Sequence, residues 1–179
     1  MSENLQIATF AGGCFWCTEA VFIRLQGVEK VISGYTGGFI KNPPYREVCT
    51  GRTGHAEGIE IFYDETKISY LELLEVFFAT HDPTTLNRQG NDVGTQYRSA
   101  IFYNNEKQKV EAQEFIKFLN DKSVFDKQVV TEINKLDVFY VAEDDHQEYY
   151  DNNKEASYCQ FIINPKIKKL TTHFKDKLK

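Results

Sequence analysis

All eleven glycines of this 179-residue chain lie between Gly12 and Gly94, and none follows. Glycine reaches left-handed backbone and allows close backbone approach where other residues cannot. Unusual backbone positions, and the chemistry that tends to be built on them, are therefore expected in the first half. The second half reads as regular scaffold. The densest signal is Gly12-Gly13-Cys14-Phe15-Trp16-Cys17-Thr18-Glu19-Ala20. A strand over residues 5 to 11 runs into two glycines, and a helix over 14 to 25 begins at the cysteine, with Phe15, Ala20, Val21, Phe22 and Leu25 on its apolar face.

Periodicity and turn residues predict the remaining elements. Strands are expected at 28–35, 58–63, 98–103, 129–133, 138–141 and 158–163. Helices are expected at 69–80, 106–121 and 144–152, with a last one whose first turn holds Pro165. Residues 39 to 58 read mostly as loop, as does the polar stretch 81 to 96, and a loop of that length is usually functional. The pattern predicts an α+β two-layer sandwich, a mixed sheet with flanking helices and a ferredoxin-like core, in a single domain over 1–179.

With 41% hydrophobic and 14% aromatic residues the chain has the composition of a folded globule. A net charge of -5 and a pI near 5.4 leave no basic footprint for nucleic acid. No apolar run is long enough to span a bilayer, and the N-terminus lacks the basic and apolar regions of a signal peptide. A cytoplasmic monomer is expected. In a reducing compartment Cys14, Cys17, Cys49 and Cys159 are more readily redox or metal-binding groups than structural staples.

Cys14 at a helix start would feel the helix dipole and unpaired amides, which favour the thiolate, the reactive form. A lone cysteine there would more often be a small apolar residue at a tight turn. The neighbouring Cys17, the glycine pair and Phe15-Trp16 tilt the reading toward a nucleophile. Adjacent helical positions point in different directions, so one of the two aromatics should line a pocket.

The string Gly13-Cys14-Phe15-Trp16-Cys17-Thr18-Glu19-Ala20 resembles the active-site signature of the A-type peptide-methionine sulfoxide reductases, in the subgroup with a second cysteine three residues on. The resemblance continues through Gly34–Gly38, Tyr45-Arg46-Glu47-Val48-Cys49, Gly54-His55-Ala56-Glu57 and His81-Asp82-Pro83. It then runs through Arg88–Asp92, Gly94–Ser99 and Ala142–Gln147, so that about residues 7 to 165 are covered in the family's order. It implies reduction of the S-epimer of methionine sulfoxide, free or in oxidised proteins, as protein repair. Cys14 would be the nucleophile and Glu57 the acid that protonates the departing oxygen. Tyr45 and Tyr97 would donate to that oxygen, Asp92 would support them, and Phe15 and Trp16 would wall the S-methyl group. A carboxylic acid serves this way only if burial keeps it protonated near neutrality. No bound cofactor is implied; thioredoxin, or dithiothreitol in its place, would be the external reductant.

The resolving thiol departs from the commonest family pattern, a flexible glycine-rich tail. Cys159 stands in an apolar segment without glycine, read as a strand. Cys17 is the local alternative: helical Cβ atoms at i and i+3 are roughly 5–6 Å apart, against the ~3.8 Å of a disulfide. Cys17 is preferred and Cys159 is the rival, with Cys49 read as a buried structural thiol. Two other functions compete. His55-Ala56-Glu57 with Cys14 and Cys17 has the elements of a zinc CxxC/HxE enzyme, although in the reverse order. A non-catalytic thiol sensor is the other. His81, His146 and His173 read as structural, and Glu143-Asp144-Asp145 as a helix N-terminus.

Overall fold

In β1 (Leu5–Gly12), Ala8 and Phe10 alternate with Thr9 and Ala11, and all four are buried, so both faces of this strand are covered. The computed structural model describes residues 4–179. After β1 come α1 (Phe15–Phe22), β2 (Val28–Thr36), α2 (Tyr45–Val48), β3 (Ala56–Asp64) and α3 (Tyr70–Thr80). Two short strands follow, β4 (Arg88–Gln89) and β5 (Asp92–Val93), then β6 (Ser99–Tyr103) and α4 (Glu106–Asp121). The chain ends with β7 (Glu132–Lys135), β8 (Phe139–Val141), α5 (Tyr149–Asn152) and α6 (Asn164–His173).

Six strands form one mixed sheet in the order β7-β6-β1-β3-β2-β8. Every pairing is antiparallel except β6 with β7. The inner strands β6-β1-β3-β2, with α1 joining β1 to β2 and α3 between β3 and β6, make the expected ferredoxin-like core. Phe10 ties the layers together: its ring lies 5.8 Å from Phe22 of α1 and 4.7 Å from Phe77 of α3. Leu25, Ile59, Ile61, Leu73, Leu74 and Ile101 are fully buried in the same core, each contributing roughly 1.5–3 kcal/mol. Ser69 and Glu72 close a reciprocal cap that starts α3. Among the described residues no helix is long and apolar enough to cross a membrane.

The structure departs from the expected elements at six places. Helix α1 stops at Phe22, shorter than the pattern suggested. The loop 39–58 contains α2, and the polar stretch 81–96 folds into the β4–β5 hairpin over Gly90 at φ +59. The strand expected at 129–133 starts later, because the Val129 and Val130 amides donate to Asn120 and Pro83 rather than to a ladder. The helix expected at 144–152 is split by Glu148, which is left-handed at φ +51. Lastly, Cys159–Ile163 is a π-helical turn that runs into α6, not a strand. Cys159 and Ile163 are buried while Phe161 between them is 74% exposed, so the burial period is four residues, not two.

Candidate active site

Both glycines before Cys14 are required by their surroundings. Gly13 has φ +92, and a Cβ there would lie 2.7 Å from the Gln89 side chain; one on Gly12 would meet the Phe77 ring at 2.9 Å. This close packing sets Cys14 at the N-cap of α1, where its carbonyl accepts the Cys17 amide at 3.0 Å. Cys14 and Cys17 are both buried, and both line a cavity of about 250 Å³ with Gly12, Gln89, Asp92, Tyr158 and Lys166. Burial changes the expected acidity of Cys14. Desolvation pushes the thiol well up, Glu57 and Cys17 add to this, and only the Trp16 amide and the Tyr158 phenol oppose it. The helix N-terminus is outweighed in this closed arrangement.

Strand β3 carries Glu57 to the same point. Its Oε1 accepts the Phe15 amide at 3.1 Å, while the buried Oε2 has no hydrogen-bond partner. Desolvation pushes the carboxyl up to about 8, with Asp92 adding to the shift and the Phe15 amide and Cys14 thiol opposing it. A carboxyl so placed holds a proton at neutral pH. Tyr45 begins α2, its amide donating to Glu143 Oε2 at 2.8 Å and its ring 6.3 Å from Phe15. Tyr97, in the turn before β6, packs on the cysteine cluster. Burial raises both phenols, so they remain neutral donors. Asp92 on β5 accepts from Tyr158 at 2.8 Å, and that phenol also lies 3.5 Å from Cys17 Sγ.

Phe15 is fully buried and Trp16 half-buried, so Trp16 is the aromatic that reaches the edge of the site. Its indole stacks on Tyr149 at 3.7 Å and meets Tyr158 edge-on at 5.6 Å. Cys159 is completely buried in one apolar cluster with Cys14, Cys17, Ala20 and Ile163. Burial raises Cys17, and the Lys166 ammonium is the first group acting against it. Cys49 is half-buried rather than buried and borders the site, where Tyr45, Glu57 and Glu143 act on its thiol.

The roles of four residues were not anticipated. Tyr149 stacks on the indole and Tyr158 meets its edge, and His146, read as structural, packs among Phe15, Trp16 and Tyr45. Glu143 is no mere helix start: its carboxylate accepts from Tyr35 and from the Tyr45 amide. The stretch Ala142–Gln147 stood within the family resemblance, and that was the available signal. His81 does serve the framework, bonded to Phe77 O and Ser99 Oγ. The histidine of the zinc reading is also committed. His55 Nδ1 accepts from the Gly38 amide at 3.0 Å, which leaves Nε2 to donate to Ile40 O at 2.7 Å. Among the described residues no three His, Cys, Asp or Glu side chains are grouped so as to hold a metal ion.

A buried thiol against a carboxyl that keeps its proton, with neutral phenols beside them, suits the chemistry of a thiol-dependent oxidoreductase. The family model described as peptide methionine sulfoxide reductase matches residues 6–178. A peptide methionine sulfoxide reductase MsrA of Deinococcus radiodurans is 56% identical over 172 residues, covering 96% of this chain and 84% of the relative. Another MsrA, from Saccharolobus solfataricus, is 54% identical and covers 98% of each. Among solved structures, reduced Mxr1 of Saccharomyces cerevisiae has a TM-score of 0.81 at 32% identity, covering 89% of this chain and 95% of that one. Mxr1 in complex with Trx2 shares the fold, with a TM-score of 0.59 at 22% identity over 83% and 87% of the two chains. The chain belongs to the peptide methionine sulfoxide reductase family. It is an oxidoreductase that acts on methionine sulfoxide.

Proposed function

We propose that this chain, as one catalytic domain, reduces the S-epimer of methionine sulfoxide, free or in oxidised proteins, with Cys14 as nucleophile. The observation that carries the reading is Glu57, a buried carboxyl raised to about 8 and placed against the Phe15 amide and the Cys14 thiol. Substrate entry puts a sulfoxide where the thiol now faces the carboxyl. Cys14 sulfur attacks the substrate sulfur, Glu57 delivers the proton to the oxygen, and Tyr45 and Tyr97 donate hydrogen bonds to it. The oxygen is transferred to Cys14 as a sulfenic acid and methionine leaves as the reduced sulfide. Asp92 keeps the network oriented through Tyr158, and Phe15 and Trp16 wall the S-methyl group, where sulfur–aromatic contacts contribute about 0.3–1.5 kcal/mol each.

Cys17 then attacks the sulfenic acid, a disulfide forms and water leaves. Its place one turn along α1, beside the Lys166 ammonium, supports it over Cys159, which is locked inside the π-helical turn. A dithiol protein of the thioredoxin type returns both thiols, by analogy with Mxr1, which has been solved with Trx2. A cytoplasmic monomer with no bound cofactor completes the reading.

Turnover of the two resolved epimers of a methionine sulfoxide peptide, with dithiothreitol as reductant, tests it. Reduction of the S-epimer alone, abolished by Cys14→Ser, is the expected result; reduction of the R-epimer, or full activity of Cys14→Ser, would refute it. One round of substrate without reductant should leave two fewer free thiols in the parent and in Cys159→Ser. In Cys17→Ser that disulfide should not form.

A further inference from the structure

Strand β2 is nine residues long, yet β8 covers its outer edge only from Gly34 to Thr36. The chain of β8 leaves that edge at Ala142, whose amide donates to Ser33 O at 2.9 Å. The side chain of Gln147 then takes the place of a strand residue. Its Oε1 accepts the Ser33 amide and its Nε2 donates to the Ser33 carbonyl, both at 2.9 Å. Ser33 therefore turns its N–H and C=O to the outer edge. In an antiparallel ladder this direction alternates, so Val31 turns its N–H and C=O to the same edge while those of Ile32 face β3. Among the described residues no strand pairs with β2 on that side before Gly34.

The open edge faces a groove of about 430 Å³. Ala20 and Ile23 of α1, with Val31, Val141 and Tyr150, form its apolar walls, and Glu29, Glu148 and Asp151 give it an acidic rim. The one lysine of the lining, Lys30, holds its ammonium over the Phe62 ring of β3, 5.7 Å from the centroid. Arg24 pairs with Asp151 and Lys179 acts on Glu29, whereas Glu148 is exposed and in no ion pair among the described residues. An unpaired edge residue in an apolar groove is matched by an extended polypeptide, and the acidic rim by basic side chains on it. A bulge between Val28 and Lys30 interrupts the ladder below, so the open stretch is short. It suits a few residues of a flexible segment rather than the long edge of a second folded copy.

The groove is tied to the catalytic end of α1. Trp16, Ala20 and Ile23 share one helix face, and at 1.5 Å per residue they span about 10 Å. Tyr149 stacks on Trp16 at 3.7 Å, and the next two residues, Tyr150 and Asp151, border the groove. An extended chain rises about 3.3 Å per residue, so roughly four to six residues carry it from the sulfoxide over α5 to Val31.

We propose that this groove docks the substrate polypeptide: a basic, extended segment flanking the methionine sulfoxide adds a short strand to the free edge of β2 at Val31. The inference rests on the functional reading above and extends it from the reacting residue to the chain that carries it.

Binding is read first without turnover, in Cys14→Ser. The probes are a lysine- and valine-rich peptide of about twelve residues with methionine-(S)-sulfoxide near one end, and a copy with alanine in its place. At saturation either should slow amide hydrogen exchange at Val31 on the order of tenfold, and leave Ile32, already paired with Glu60, unchanged. Methylating the flanking backbone nitrogens of the peptide should abolish that protection. In the parent, with dithiothreitol, the long sulfoxide peptide should have a KM roughly three- to tenfold below that of N-acetyl-methionine-(S)-sulfoxide methylamide, at unchanged kcat. Glutamates in place of the peptide lysines, or Glu148→Lys in the enzyme, should each remove most of this gain, and the two together should restore it. No protection of Val31 by either peptide, or a KM gain that survives both N-methylation and charge reversal, would overturn the proposal. Protection that grows with protein concentration in the absence of peptide would overturn it in favour of a second copy of the chain. Protection of Val31 by the alanine peptide, with no reduction of any sulfoxide, would instead refute the functional reading.

Discussion

Glu57 on β3 and Glu19 within α1 are both buried carboxyl groups, and desolvation raises both. They differ in what their oxygens meet. Glu57 has a single amide donor and one unpartnered oxygen, with Asp92 close enough to repel its charge. Glu19 accepts the Ser33 hydroxyl at 2.8 Å and the Glu148 amide at 2.5 Å, and both donors pull its acidity back. Burial alone therefore does not decide how firmly a carboxyl keeps its proton. A carboxyl that lacks donors keeps its proton and has it to give, whereas one supplied with donors becomes a clamp between helix and scaffold. On one side α1 presents chemistry; on the other it is tied to β2 and to the segment that carries His146.

The largest effect should come from removing the proton. Glu57→Gln should lower single-turnover release of methionine by roughly 10²–10⁴-fold. In the parent that rate should fall as pH rises through about 8, where Glu57 loses its proton, and the variant should lose this limb. Rapid-quench measurements across pH check both. An unchanged rate would show that another group supplies the proton.

The same substitution should stabilise the protein. Glu57 has a folded pKa of about 8, above the ordinary value of about 4.3, so the native state holds an extra proton between these limits. Its stability contribution is fully present below about 4.3 and is lost as pH rises through about 8. Glu57→Gln should therefore gain on the order of 2–4 kcal/mol at pH 9 and about nothing at pH 4. Denaturant unfolding at the two pH values gives the difference directly.

Glu19 should behave in the opposite way. Glu19→Ala leaves the Ser33 hydroxyl and the Glu148 amide without their acceptor, a loss of roughly 2–3 kcal/mol. Glu19→Gln, which keeps one acceptor, should lose less. Hydrogen exchange over residues 144–152 should rise with the alanine substitution, and no change there would break the contrast between the two glutamates. The smallest effect is expected at Tyr158→Phe, which removes the hydroxyl shared by Asp92 and Cys17. Calorimetry should find a loss of about 0.5–1.5 kcal/mol; a loss matching that of Glu19→Ala would make the Cys17 side an equal clamp.

Legibility in the sequence followed the range of the forces involved. The pair Gly12-Gly13 before Cys14 marked the strand-to-helix junction, because a positive φ at Gly13 and contact with Phe77 at Gly12 exclude side chains. The βαββαβ core was readable from alternation and helical period. Cys159 was misread as strand, since an apolar run of that length carries either period until its partners are known. Glu57 could be singled out only through family resemblance; on its own it is a glutamate near the start of a strand. His146 was taken for framework although its ring bears on the site, because its contacts come from α1 and α2, more than 95 residues away along the chain.

The sequence by itself determined the junction that presents Cys14, the core that supports it and the family to which the chain belongs. Those depend on backbone sterics and on periodicities that act over a few residues. Only the tertiary structure decided which carboxyl keeps a proton, that burial outweighs the helix N-terminus at Cys14, and that a histidine packs against the indole. Desolvation and hydrogen-bond supply are sums over every element packed around a group, and no local stretch of sequence contains that sum.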